Sequence, residues 1–169
     1  MTAEDPADLV RAAQGGDTLA MHELLDRLAP YVARICGPIA LASGADAAQE
    51  TLVAVFTGLR GLREPATLYG WVRAIAVREA VRAARRDTRA TPMAPGDLAA
   101  LPAREDPELA ADVWDVLARL HPEQRAVLVL RDLEDLDEQT AAALLNLPAG
   151  TVKSRLHRAR RSFRRAWDR

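Results

Sequence analysis

Five side chains near one end of this 169-residue chain have the types and spacing for reading a nucleic acid. Lys153, Ser154, His157, Arg158 and Arg161 stand at i, i+1, i+4, i+5 and i+8. On a helix those offsets share one face. Lysine and arginine can donate to the acceptor edge of guanine, and serine and histidine can reach base edges or phosphates. We expect Lys153, Ser154, His157 and Arg158 to meet bases, and Thr151, Arg155 and Arg161 to hold phosphates. The other side of the same helix is apolar, with Val152, Leu156, Ala159 and Phe163 at spacings of four, three and four. A helix with one buried stripe and one cationic face is built to lie in the major groove.

The residues upstream are those that would set such a helix in place. Asp137 can cap a helix over Glu138 to Leu145, because its carboxylate accepts from free first-turn amides. Asn146 fits the left-handed residue that stops that helix, and Pro148 and Gly150 mark the turn into the next. The pattern predicts a helix-turn-helix.

The net charge is −1, which alone argues against binding a polyanion, but the distribution reverses that argument. From Lys153 to Arg169 there are eight Lys or Arg against the single acid Asp168. A second basic cluster comprises Arg73, Arg78, Arg82, Arg85, Arg86 and Arg89, and between Asp97 and Glu138 the balance is acidic. Two basic patches in an otherwise acidic chain predict two separate contacts with a polyanion, leaving the remaining surface for protein.

The rest of the chain reads as helices. Asp5 to Gln14 is stopped by Gly15-Gly16, and Asp17 can cap a helix through Met21, Leu24, Leu25 and Leu28 that Pro30 interrupts. Tyr31 to Leu41 continues in register, with Pro38 bending or ending it. Asp46 is a further cap candidate, opening a helix whose inward face is Ala48, Leu52, Val55, Phe56 and Leu59. After a loop at Gly61–Thr67, a periodic helix over Leu68–Arg86 buries Leu68, Trp71, Val72, Ile75, Ala76 and Ala80. Helices are expected around Leu109–Leu120 and from Glu123, where His121-Pro122 favours a start. The stretch around Pro92, Pro95, Gly96, Pro102 and Pro107 has little apolar periodicity. The expected fold is all-α: two small helical domains, 1–90 and 108–169, joined by a flexible Pro/Ala-rich linker at 91–107.

Other chemistries find little support. Asp132, Glu134, Asp135 and Asp137 lie on one turn without a nucleophile, a Gly-rich phosphate loop or a metal triad, and read as solvated or partner-facing. His157 has no second ligand at i+3 or i+4, so neither metal nor cofactor is expected, and no enzymatic activity. Cys36, the one cysteine, reads as a small buried hydrophobe. No run approaches what a membrane span requires, so the cytoplasm is the expected compartment.

Several segments together resemble the extracytoplasmic-function group of bacterial sigma factors. Leu120 to Arg131 (LHPEQRAVLVLR), with the helix-turn-helix and Gly150 to Arg160 (GTVKSRLHRAR), is similar to that group's region 4. The resemblance implies that this part reads the −35 promoter element and docks on the flap of the polymerase β subunit. Asp46-Ala47-Ala48-Gln49-Glu50-Thr51 resembles the acidic Asp-Leu-Val-Gln-Glu motif that binds the β′ coiled coil, with Ala47 and Ala48 in place of larger residues. Asp46, Gln49 and Glu50 are the implied contacts. Tyr69 to Ala76 resembles the helix that captures and opens the −10 element. Arg78 stands where the family commonly has Asn, and Gly61–Thr67 takes the place of the loop that accepts a flipped base.

Opening DNA requires stacking groups and backbone clamps to offset unstacking. Tyr69 and Trp71 are the stacking candidates, with Arg73, Arg78, Arg82 and Arg85 on the backbone. Trp71 also falls on the apolar face, where a core role is the plainer reading. The resemblance implies core RNA polymerase and promoter DNA as partners, and an anti-sigma factor that clamps both domains. Two other readings remain open: a dimeric helix-turn-helix regulator that never enters polymerase, and an interaction protein whose basic helices bind acidic partners.

Overall fold

The computed structural model describes residues 5–89 and 107–168, and every regular element among them is helical. Most of the expected linker, 91–106, lies outside the described residues, and Pro107 opens a helix instead of closing the linker.

Helix α1 (Pro6–Gln14) is capped by Asp5, whose carboxylate accepts from the Ala7 amide. Helix α2 (Thr18–Ala40) begins with Asp17 accepting from Leu19 and Ala20, and it runs without a break through Pro30 and Pro38. The expected interruption at Pro30 does not occur. A proline inside a helix costs about 3 kcal/mol through a lost amide bond and a clash with the preceding turn. Against that, Leu28, Val32, Ile35 and Ile39 are completely buried along one stripe, and each such burial contributes roughly 1.5–3 kcal/mol. Packing decides the outcome. The helix ends where Leu41 turns to φ 54°, and a short 3-10 turn, Leu41–Ser43, leads onward.

Helix α3 (Gly44–Gly58) starts three residues earlier than expected, with Ser43 at the cap position and Asp46 inside the first turn. Asp46 therefore lies at the positive end of the helix dipole without closing the helix itself. At that start the two helices come very close: a Cβ at Gly44 would stand 2.9 Å from the Cα of Gly37. Two glycines let α2 and α3 touch there. The buried face is Ala47, Thr51, Val55 and Leu59, so the expected inward face was rotated. Phe56 is 56% exposed.

Two 3-10 turns, Leu59–Gly61 and Pro65–Thr67, carry the chain into α4 (Leu68–Arg89). Helices α2, α3 and α4 pack together around Leu9, Val10, Leu24, Val32, Val55, Val72 and Ile75. The segment Thr18–Gly61 is long and apolar enough to cross a membrane by length and composition, contrary to the sequence expectation. Much of that apolar surface is the core just described.

The second half comprises α5 (Pro107–Ala118), α6 (Pro122–Leu128), a π-turn at Val129–Leu133, α7 (Glu138–Leu145) and α8 (Ala149–Trp167). Helix α6 starts at Pro122, one residue before the expected Glu123. His121 is its cap, and its amide donates to the Gln124 side chain at 3.2 Å. Proline suits that first position because its missing amide had no helical partner. Arg125, only 6% exposed, donates to the carbonyls of Leu120 (2.7 Å) and Leu117 (3.5 Å), and across to Ile39 of α2 (2.7 Å). The buried residues of both halves form one continuous cluster.

Candidate nucleic-acid interface

Helices α7 and α8 form the expected helix-turn-helix. Asp137 accepts from the Thr140 amide at 2.8 Å and from its hydroxyl at 2.7 Å, which holds the Asp137 carboxyl below its usual range. Asn146 is left-handed at φ 52°, ψ 50°. Pro148 takes the cap position of α8, and Gly150 falls inside the first turn of that helix.

Val152, Leu156 and Ala159 are buried, with Phe163 packed beside them. The opposite face is open: Lys153, Ser154, His157, Arg158 and Arg161 are all exposed. The Ser154 hydroxyl donates to the Thr151 carbonyl at 3.0 Å, and Arg158 leans on the Ser154 carbonyl at 3.4 Å. Arg160, one step around the helix, is tied back to Asp132 at 2.6 Å, so the free cations lie on the predicted face. Arg155 is set apart from them: it is half-buried and turns toward α4.

On α4, Arg78, Arg82, Arg85 and Arg86 are exposed along one side. With Asn146 and Arg155 they line a cleft of about 870 Å³ between α4 and the helix-turn-helix. Glu79 lies 3.4 Å from Arg78 and 3.6 Å from Arg82, and Glu123 lies 2.9 Å from Arg85. Burial works against ionisation at Glu123, but its backbone amide and hydrogen bonds from His121 and Arg85 outweigh it, so the carboxyl lies below the usual range.

Tyr69 is 44% exposed and meets the ring of Tyr31 edge-on, 5.2 Å between centroids. Trp71 is half-buried against α3, where a Cβ at Gly58 would come within 3.1 Å of its ring. It packs against the core as a partly buried residue. Arg73 is half-buried beside Tyr31. Thus the structure brings Tyr69 and Arg73 together at one end of α4 and Arg78, Arg82 and Arg85 along its length.

The acidic motif lies on the far side. Asp46, Gln49 and Glu50 are exposed on α3, and Val53 (57% exposed) and Phe56 continue the same face. Those two apolar residues were missed because the inward face of α3 was placed one position off. The acids before α7 are not simply solvated: Asp132 holds Arg160, and Glu134 pairs with Arg34 of α2 at 2.7 Å with its side chain 5% exposed. Arg34 in turn lies over the Tyr31 ring, 5.6 Å from its centroid. Tyr31, Arg34, Glu123 and Glu134 carry no local sequence signal for this junction. Cys36 is buried between the Thr51 hydroxyl (3.8 Å) and the Ala76 carbonyl (3.7 Å), and burial pushes its thiol up to about 11.

A capped helix, a left-handed stop and a second helix with a bare cationic face define a helix-turn-helix DNA-binding protein. Residues 110–163 match the family described as Sigma-70, region 4. The chain is 30% identical to the RNA polymerase sigma-H factor of Pseudomonas aeruginosa over 98% of its own length and 95% of that protein's. It is 33% identical to the sigma factor CarQ of Myxococcus xanthus over 86% of this chain and 87% of CarQ. With the ECF sigma factor SigE of Mycolicibacterium smegmatis the identity is 35% over 70% of this chain, spanning about half (49%) of SigE.

Two solved structures share the fold. The sigma factor RpoE of Bartonella quintana, in complex with the anti-sigma factor NepR, aligns with TM-score 0.69 at 21% identity, covering 87% of this chain and 96% of that one. CnrH in complex with the cytosolic domain of CnrY aligns with TM-score 0.66 at 23% identity, covering 97% and 98%. The chain belongs to the extracytoplasmic-function sigma factors of the sigma-70 family.

Proposed function

We propose that this sigma factor divides transcription initiation among three surfaces. The outer face of α3 binds core RNA polymerase, at the β′ coiled coil. Helix α8 reads the −35 element of promoter DNA, and the second half also meets the β flap. Helix α4, with the loop at 61–67, holds and opens the −10 element. The corresponding units are 1–90 and 107–169, connected through 91–106, and the protein works in the cytoplasm with the polymerase.

The observation that carries the polymerase contact is the α3 face. Val53 and Phe56 are exposed beside Asp46, Gln49 and Glu50 on a helix whose other side is fully used by the core. Apolar anchors flanked by charge are what a docking helix needs. For DNA, Lys153, His157, Arg158 and Arg161 project from a rigid helix, a geometry suited to base edges and phosphates. On α4 the half-exposed Tyr69 offers a stacking face, and Arg73, Arg78, Arg82 and Arg85 offer backbone contacts. One solved structure of this fold is a sigma factor in complex with an anti-sigma factor, which supports an anti-sigma partner here. No residue is assigned a catalytic role.

In vitro transcription with core polymerase on genomic fragments tests the assignment. Discrete new start sites are expected, lost on Asp46→Ala/Glu50→Ala and on Arg158→Ala. If no start sites appear while the protein still footprints duplex DNA, it acts without polymerase, as a conventional regulator would.

A further inference from the structure

Tyr69 stands in the first turn of α4 and is 44% exposed. In the reading above, its ring stacks on an unpaired base. Trp71, the other aromatic residue of α4, is taken up by its contact with Gly58 of α3, so the stack falls to Tyr69 alone. An exposed tyrosine that nothing holds changes rotamer within nanoseconds. Ordering such a ring when the base arrives subtracts from the affinity gained, and a ring already set in place avoids that loss.

A second ring holds Tyr69. Tyr31 of α2 meets it with 5.2 Å between centroids and 86° between planes, the edge-to-face arrangement that aromatic quadrupoles favour. Tyr31 is itself well anchored. It is half-buried against the core, and the Arg34 guanidinium, one turn further along α2, lies over its ring, 5.6 Å from the centroid. That is a cation–π distance. Both residues belong to α2, so this support is built within the first half of the chain. The backbones that carry the two rings are fixed as well. Helices α2 and α4 pack together, and Val32, next to Tyr31, and Val72, one turn after Tyr69, are completely buried. Burial pushes the Tyr31 phenol up, so the ring stays neutral at physiological pH.

An edge-to-face neighbour restrains a ring without sandwiching it, and the exposure of Tyr69 leaves it surface for a base. Resting on the assignment of Tyr69 to the opened −10 strand, we propose that Tyr31 is a positioning residue for promoter opening. It acts through Tyr69, by holding that ring in the pose that receives an unpaired base. Arg34 supports Tyr31 from behind and is one step further from the DNA.

The test uses core polymerase with the full chain on a start site found by the transcription assay above, and reads opening as permanganate reactivity of unpaired thymines. Tyr31→Phe keeps the ring and should open the site as the unaltered protein does. Tyr31→Leu removes it and should open the site about fivefold less, in line with the loss of one aromatic pair. Footprinting of the duplex −35 region should stay level. Tyr69→Leu should lose at least as much, and Tyr31→Leu/Tyr69→Leu no more than Tyr69→Leu alone, because one residue acts through the other. Simple destabilisation of the fold would instead add to the loss in the double variant. Normal opening by Tyr31→Leu, equal losses in Tyr31→Phe and Tyr31→Leu, or losses that multiply in the double variant overturn the positioning role and leave α4 at the −10 element. Normal opening by Tyr69→Leu overturns the stacking assignment itself, and the role of Tyr31 with it.

Discussion

A Cβ at Gly44 would stand 2.9 Å from the Cα of Gly37, closer than side-chain carbons come to backbone in folded proteins. The contact is backbone on backbone, so no flexible side chain can yield. Gly44→Ala must push α2 and α3 apart, and overpacking of that kind costs about 1–3 kcal/mol. A thermal melt followed by circular dichroism should show a clearly lowered Tm. Gly61→Ala, with open space around it, should melt close to the unaltered protein. Equal Tm values for the two variants would mean that the helices are not held at this distance.

The α7 cap makes a pH prediction. Hydrogen bonds from the Thr140 amide and hydroxyl hold the Asp137 carboxyl below its ordinary 3.8. A carboxyl depressed in the folded state adds stability that is complete above the unfolded value and disappears as pH falls through the folded one. Unfolding curves from neutral pH down to about pH 2 should therefore show a larger acid-side loss than those of Asp137→Asn. Asparagine caps without titrating, while Glu123, also held low, contributes equally to both. Parallel curves for both proteins would remove the cap from the account.

On α8 the two proposed kinds of DNA contact separate by salt. Arg161→Ala should weaken promoter binding on all sequences alike and flatten the dependence of log K on log salt by about 0.9. Arg158→Ala, placed for base edges, should cost about 1–3 kcal/mol on the preferred −35 sequence and much less on others. Binding titrations across a promoter library at several salt concentrations distinguish these outcomes. Identical slopes and uniform losses would reverse the assignment of the two arginines.

Phe56→Ala probes the polymerase face of α3. With this ring 56% exposed, fold stability should change by less than about 0.5 kcal/mol. Affinity for core polymerase should fall roughly tenfold, as expected when an apolar anchor is truncated. A stability loss without an affinity loss would place Phe56 in the core after all.

The helix-turn-helix was legible because each of its signals is local. Asp137 caps within three residues, Asn146 stops the helix alone, and the Val152–Phe163 stripe repeats within one helix. The path of α2 through Pro30 was not legible, because burial against α1, α3, α4 and α6 overrides the proline. The face of α3 was misjudged for a related reason. Thr51 is polar yet fully buried, its hydroxyl satisfied by the Ala47 carbonyl at 2.7 Å, whereas Phe56 is apolar and exposed; residue type pointed the wrong way at both. The pairs Arg34–Glu134 and Arg85–Glu123 join residues far apart in sequence, and no periodicity announces such partners.

Gln14, the last residue of α1, sends its side-chain amide to the carbonyls of both Leu59 (2.9 Å) and Leu62 (2.7 Å). One peg thus fastens the root of the loop at 61–67 to a helix that takes no part in the cationic surfaces. Two hydrogen bonds from a single side chain tie α1 to the start of the proposed base-accepting loop. If that loop accepts a promoter base as proposed, Gln14→Ala is expected to loosen it without removing any cation from α4 or α8.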